Sequence, residues 1–228
     1  MKLLLIGKSV THPHLDIEHT TLQTLPLEAS LAKYDYLILS GGDGLIRRTI
    51  EYFHHHNLTL PPLILHPTGS FNVISKYHKT APLMDILERI TEKKALQSTP
   101  LDYYTLNEHI FLFSAGNMND LQHIFLAEHL RFGILKKGAW KYLLSALLLL
   151  PYHLLITPFL LRSQQHFAIF TPLRPFKKWG NLYGEVKKPL TLNLGTEYQL
   201  IQLDGDIVTL HSASITITPQ EPLLLITA

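Results

Sequence analysis

The stretch LILSGGDGLIRR, residues 37–48, sets three glycines around one carboxylate at the end of an apolar run. Glycine gives up more conformational freedom on folding than any other residue, so three of them among four positions need a geometric reason. A glycine-rich turn between a strand and a helix is an anion site, because bare N–H groups point outward and the helix dipole adds positive charge. Gly41, Gly42 and Gly44 would let a phosphate approach the main chain. Asp43 would repel it, unless the carboxylate holds a magnesium ion shared with the phosphates or takes a proton from an attacking hydroxyl. A tight turn with Asp43 as a helix N-cap explains the same residues without chemistry.

The elements around this loop bear on that choice. In residues 1–95, KLLLIG, YDYLILS (34–40) and PLILHP (62–67) read as strands. GLIRRTIEYFHHH (44–56) reads as a helix with Ile46, Ile50 and Phe53 on one stripe, and NVISKY and APLMDILERITEKK supply more helix. Alternating strands and helices imply a parallel sheet with helices on its faces, and such sheets take ligands at the carboxyl ends of their strands. Both glycine-bearing loops, 41–44 and 67–72, directly follow predicted strands.

Residues 100–228 carry short β-rich segments bounded by Gly, Asn, Pro or Asp, among them HIFLFSAG, HFAIFTPL, YQLIQLDGDIVTL and ASITITP. That pattern predicts an antiparallel sandwich or barrel, interrupted by a helical insertion over 119–150. The expected organisation is an α/β N-terminal domain with a parallel sheet, residues 1–97, followed by a mainly β, sandwich-like C-terminal domain, residues 98–228. The polar stretch TEKKALQSTP (91–100) is the expected linker, and the last strand is free to return to the first domain.

Composition narrows the function class. With 46% hydrophobic and 17% charged residues the chain can bury a proper core. Lys+Arg at 20 against Asp+Glu at 18 is too balanced for nucleic acid as a main partner. No cysteine is present, which rules out disulfides and thiolate metal sites. The start, MKLLLIGKSV, has too short an apolar run for a signal peptide, so a cytoplasmic location is expected. YLLSALLLLPYHLLITPFLL (142–161) is long enough to span a bilayer, but Pro151, Pro158 and His153 interrupt it. It reads first as a buried helix over about 137–150 followed by a buried extended segment from Tyr152, since proline disfavours helix in the residue before it. The second reading is contact with a membrane surface, helped by Lys136, Lys137, Trp140, Lys141 and Tyr142. RPFKKWGNLYGEVKK reads as a solvated strand-turn-strand surface, or as a contact for anionic headgroups.

LSGGDGL followed by HPTGSFNVISKY resembles the diacylglycerol kinase catalytic family, which includes bacterial lipid kinases and sphingosine kinases. LDYYTLNEHIFLFSAGN, LKKGAWKYLLSALLLL and IQLDGDIVTLHSASITITPQEPLLLI resemble its later segments in the same order, over residues 36–228. The resemblance implies ATP and magnesium as cofactors and a lipid hydroxyl as phosphoryl acceptor, reached from a membrane surface by transient peripheral contact. It places Gly41, Gly42, Asp43 and Gly44 on the phosphates and metal, with Thr68, Gly69, Ser70 and Asn72 as the facing nucleotide loop. Asp204 and Asp206 match the family's Asp-Gly-Glu pair, with Asp43 as the third metal ligand; Asp204 is the first choice of base and Asp43 the second. The chain departs from the pattern at Arg48, Phe71 and Val73, and the usual helix and strand before the glycine loop are replaced by GKSVTHPHLDIEHTTLQTLPLEASLAK. The alternative is therefore a non-catalytic relative that binds nucleotide or lipid.

Other motifs carry less. IGKS would need glycine at position 2 to close a P-loop, and Lys2 stands there. The three histidines of FHHHN point in different directions around a helix, so one metal cannot use all of them.

Overall fold

The computed structural model describes residues 1–25, 31, 33–118, 126, 140–173 and 177–228. Of the expected helical insertion over 119–150, residues 119–125 and 127–139, including Lys136 and Lys137, lie outside these. The chain divides into two units, Met1–Tyr103 with Glu221–Ala228, and Tyr104–Gln220.

The first unit is built on one sheet. Its strands are β1 (Leu3–Gly7), β2 (Ile17–Thr20), β3 (Tyr36–Gly41), β4 (Leu63–Pro67), β5 (Ser98–Leu101) and β16 (Leu223–Ile226), in the order β2-β1-β3-β4-β16-β5. Every pair is parallel except β16 with β5. LLLI in β1, LILS in β3 and LIL in β4 are buried almost without alternation, as strands covered on both faces must be. Helices α1 (Asp43–His55), α2 (Val73–His78) and α3 (Leu83–Thr91) follow β3 and β4. The predicted stripe of α1 is buried at Ile46, Ile50 and Phe53. From α3, Leu83, Ile86, Leu87 and Ile90 pack on Leu3, Leu5, Ile38, Ile64 and Ile226 of the sheet.

Two sequence expectations change here. Residues 98–100 of the supposed linker, with Leu101, form β5, an edge strand on β16; Thr99 and Pro100 give no apolar periodicity to announce it. IEHT, in the region that seemed only to fill space, is β2, parallel to β1. Its side chains are half-buried or exposed, so it lacks the apolar run that marks its neighbours. The boundary drawn at residues 97 and 98 thus gives way to one after Tyr103, and both β5 and β16 lie in the first sheet.

The second unit is a β sandwich. Strands β6 (Tyr104–Leu106), β7 (His109–Phe111), β12 (Leu190–Asn193) and β15 (Ser214–Pro219) form one sheet, ordered β12-β15-β6-β7. The other runs β10-β11-β9-β8-β13-β14, from β8 (Ser114–Gly116), β9 (Ala168–Phe170), β10 (Lys178–Trp179), β11 (Leu182–Tyr183), β13 (Gln199–Leu203) and β14 (Asp206–Leu210). Leu106, Phe111, Ile215 and Ile217 of the first sheet meet Ala115, Ile169, Ile201 and Leu203 of the second in one core. The fold class is as expected: a mostly parallel α/β unit and an antiparallel-rich β unit.

Helix α4 (Trp140–Leu160) enters between β8 and β9 and contains both Pro151 and Pro158. The segment from Tyr152 is therefore helical, not extended. It bends by 74° between Leu143–Tyr152 and Leu154–Leu160. Proline removes one backbone donor and crowds the preceding turn, so a kink rather than a stop results when the flanking turns stay helical. Nor is the segment buried: Leu147, Leu154, Leu155 and Phe159 are 60–72% exposed. Neither arm, nor any other single helix among the described residues, is long and apolar enough to cross a membrane.

The closing strand supplies the first test. Leu225 of β16 is fully buried between β4 and β5. Leu225→Ala should cost about 2–5 kcal/mol, read in urea titration as earlier unfolding of the first unit while the β-unit signal stays in place.

Candidate functional site

The two glycine loops leave the carboxyl ends of adjacent strands. In the β3–β4 ladder Ser40 lies opposite His66 and Gly41 opposite Pro67, so residues 41–44 and 67–72 emerge side by side. They are stitched together by the backbone: Thr68 N donates to Gly41 O at 2.9 Å. A Cβ built on Gly69 would stand 2.6 Å from the Gly42 Cα, and one on Gly42 would stand 3.2 Å from the Gly69 Cα. The close approach that these glycines permit is thus made first by each other. A side chain at Gly69 would collide with the Gly42 backbone, and one at Gly42 would press on Gly69.

Asp43 completes the joint. Its carboxylate accepts from Val73 N at 2.8 Å and from Ile74 N at 3.1 Å, and the residue is only 8% exposed. It stands in the first turn of α1 yet caps α2, satisfying two amides that a helix start leaves without intrahelical partners. Asn72, in the left-handed region at φ 48°, accepts from Gly69 N at 3.0 Å and donates to Gly69 O at 2.8 Å, closing the 69–72 turn. α1 has the opposite arrangement: its N-cap is Gly42, and no side chain caps it. Its first amides therefore have no side-chain acceptor, and the dipole of a 13-residue helix lies behind them.

The neighbouring residues fall on either side of this joint. Ser70 and Phe71 are exposed, Thr68 and Val73 half-buried. Arg48, where the resemblance calls for an acid, is exposed on α1; its neighbour Arg47 is buried and pairs with Glu51 at 3.2 Å. Sequence reasoning singled out Arg48 and passed over Arg47. Ser40 and His66, also passed over, form a hydrogen bond between Oγ and Nδ1 at 2.8 Å beneath the loops. A cavity of about 420 Å³ opens beside the second loop, walled by Val10, His66, Pro67 and the 80–84 segment. Burial, and then the positive charge of Lys8, hold the His66 imidazole below its ordinary protonation range.

In the second unit, Asp204 and Gly205 are the two central residues of the β13–β14 hairpin, at φ 51° and 95°. Both lie in the left-handed region, as a two-residue primed turn demands, and Asp-Gly is a preferred pair for it. Asp204, expected as the base, is 8% exposed with its carboxylate turned inward. Leu112 N donates to Oδ2 at 2.7 Å, and Phe113 N and Ser114 N donate to Oδ1, each at 2.9 Å. Three charge-assisted bonds bind this side chain to the β7–β8 connection. Asp206, two residues on, opens β14 and is half-exposed. Among the described residues no group of three or more His, Asp or Glu is arranged to hold a metal ion. Magnesium commonly needs only one or two carboxylates beside phosphate oxygens and water, so the acids present fit that ion only if phosphates supply the rest.

Two outcomes follow from this geometry. Asn at position 204 offers one oxygen to three amides, so Asp204→Asn should cost about 1–3 kcal/mol, seen as a lower denaturation midpoint of the β unit. His66 in the folded chain takes up its proton less readily than in the unfolded chain, whose histidines titrate near about 6.5. Its contribution is then full above that pH and is lost as pH falls below it toward the lower folded value. First-unit stability should drop as the pH falls below about 6.5, and His66→Gln should flatten that drop.

No family model matches the chain, and no curated protein matches its sequence. Solved structures do match. A diacylglycerol kinase structure from Bacillus anthracis str. Sterne superposes with a TM-score of 0.56 at 14% identity, over 100% of this chain and 96% of that one. A candidate diacylglycerol kinase from the same organism gives 0.57 at 14%, with the same coverage. At this identity the likeness speaks for architecture: the chain has the fold of these diacylglycerol kinase structures, from its first strand to its last.

Proposed function

We propose that this chain is a lipid-kinase-like phosphotransferase that moves the γ-phosphoryl group of ATP to a lipid hydroxyl with magnesium. The observation that carries the reading is the joined pair of loops at the carboxyl ends of β3 and β4, with the uncapped start of α1 between them. Its shared fold with structures described as diacylglycerol kinases supports the lipid as acceptor.

When bound, ATP supplies the phosphoryl group and magnesium offsets its charge. The chain's own contribution is positioning, which is most of what phosphoryl transfer asks of a protein. The first amides of α1 hold phosphate oxygens. Asp43 locks α2 against α1, so that both loops keep one geometry; its carboxylate oxygens retain lone pairs for a cation on the outer side. Asp204 is a positioning residue that fixes the β13–β14 hairpin. In the transfer the lipid oxygen bonds to γ-phosphorus, its proton passes to water, and ADP leaves with the electrons of the broken P–O bond.

The commitment of Asp43 and Asp204 to backbone amides favours a second reading, a non-catalytic relative that binds nucleotide or lipid. Two measurements separate them. ATP with magnesium should raise the melting temperature through linkage, and Ser70→Glu, which adds charge at an exposed loop position, should remove that rise without lowering the unliganded melting point. Transfer of labelled phosphate to diacylglycerol in mixed micelles should be detectable, and Ser70→Glu should abolish it together with the thermal shift. No shift with any nucleoside triphosphate overturns the nucleotide site; a shift without transfer selects the binding reading.

A further inference from the structure

α4 is built inside out. Among its described side chains, Ser145 alone is fully buried, while Trp140, Leu143, Leu147, Leu148, Leu154, Leu155 and Phe159 are at least half exposed. Single exposed leucines are ordinary; a contiguous apolar surface with its one buried position occupied by serine marks a contact site. The 74° bend divides it into arms of ten and seven residues, Leu143–Tyr152 and Leu154–Leu160. At 1.5 Å per residue these are about 15 Å and about 10 Å long, each well short of the roughly 30 Å hydrocarbon core.

The far end of the helix is fixed to a second apolar and cationic element. Asn181 N, in the turn between β10 and β11, donates to Leu161 O at 3.2 Å, and the Asn181 side chain donates to Ser163 O. That turn carries Trp179, 63% exposed, with Lys177 and Lys178 exposed beside it. The two tryptophans of the chain, Trp140 and Trp179, therefore flank this one surface. Tryptophan is favoured where hydrocarbon meets headgroups, because its ring is apolar and its N–H is not.

Charge identifies the occupant. From residue 129 to residue 184 the sequence holds eight cations and no Asp or Glu. Lys141, Arg162, Lys177 and Lys178 lie in described segments, and Arg131, Lys136, Lys137 and Arg174 complete the count. A second copy of the chain would bring its own cations against these. We propose that α4 and the β10–β11 hairpin form a bent wedge that inserts into one leaflet of an anionic bilayer. The leucines and Phe159 enter the acyl boundary, and Trp179, Lys177, Lys178 and Arg162 lie at headgroup level. Arms this short suit interfacial insertion, as do a strongly apolar surface and flanking lysines. The wedge stands apart from the phosphotransfer reading, since it needs no nucleotide.

Flotation of the full chain with phosphatidylcholine vesicles, with and without phosphatidylserine and in the absence of nucleotide, tests it. The chain should float with the phosphatidylserine vesicles, less so as salt shortens the Debye length from about 10 Å at 0.1 M to about 3 Å at 1 M. Its tryptophan emission should shift to the blue, because both tryptophans enter the interface. Leu154→Asp with Leu155→Asp touches only exposed positions, so the fold should persist by circular dichroism while vesicle partitioning falls on the order of a hundredfold. The wedge is overturned if the wild type fails to float, if it floats equally without phosphatidylserine at all salt concentrations, or if the double variant floats as well as the wild type. It is also overturned if sedimentation shows a dimer that the double variant dissolves, which would give this surface to a second copy.

Discussion

One carboxylate joins the parts of the first unit that matter. Asp43 stands in the first turn of α1 and accepts from the first two amides of α2, across the seam where Gly42 and Gly69 touch. Remove the carboxylate and the amides of Val73 and Ile74 lose their acceptor; add a side chain at Gly69 and the seam must open. Because both loops are anchored to paired strands, the seam inherits the rigidity of the sheet, and the first amides of α1 face a fixed environment rather than a moving loop. Whatever anion docks there meets a preorganised site, which matters more for affinity and rate than the number of contacts.

Much of the architecture was legible because it rests on patterns that the chain displays openly. The continuous apolar runs of β1, β3 and β4 follow from burial on both faces, and the stripe Ile46, Ile50, Phe53 follows from helical period. What escaped notice lacks such a pattern. β2 and β5 are edge strands, half polar, and they exist because a neighbour offers hydrogen bonds. α4 was misjudged for the opposite reason. Its leucines suggested burial and its prolines suggested a break, whereas the structure keeps the helix, bends it and leaves the leucines outside.

The site divides in the same way. Spacing correctly pointed to two loops after two strands, since that information is local. The use made of each carboxylate is not local. Asp204-Gly205 is among the strongest short-range hairpin signals a sequence can hold, and a reader looking for catalysis passes over it. The partners of Asp204, the amides of residues 112–114, lie some ninety positions away along the chain. Likewise the two amides that Asp43 caps are thirty and thirty-one residues distant. No window of sequence displays either bond, and Ser40–His66 became visible only through the β3–β4 register.

The placement of β16 has a temporal consequence. This strand, inserted between β4 and β5, comes from the last residues of the sequence, after the whole sandwich. On a ribosome, β1, β3 and β4 emerge early with an unfilled edge at β4, while residues 104–220 can complete their own hairpins and core. The first sheet then waits for Leu223–Ile226, which follow the sandwich in the chain, to emerge. During that interval the bare edge of β4 is a template for any passing strand, so the exposed edge falls on the unit that carries the glycine loops, not on the β unit made after it.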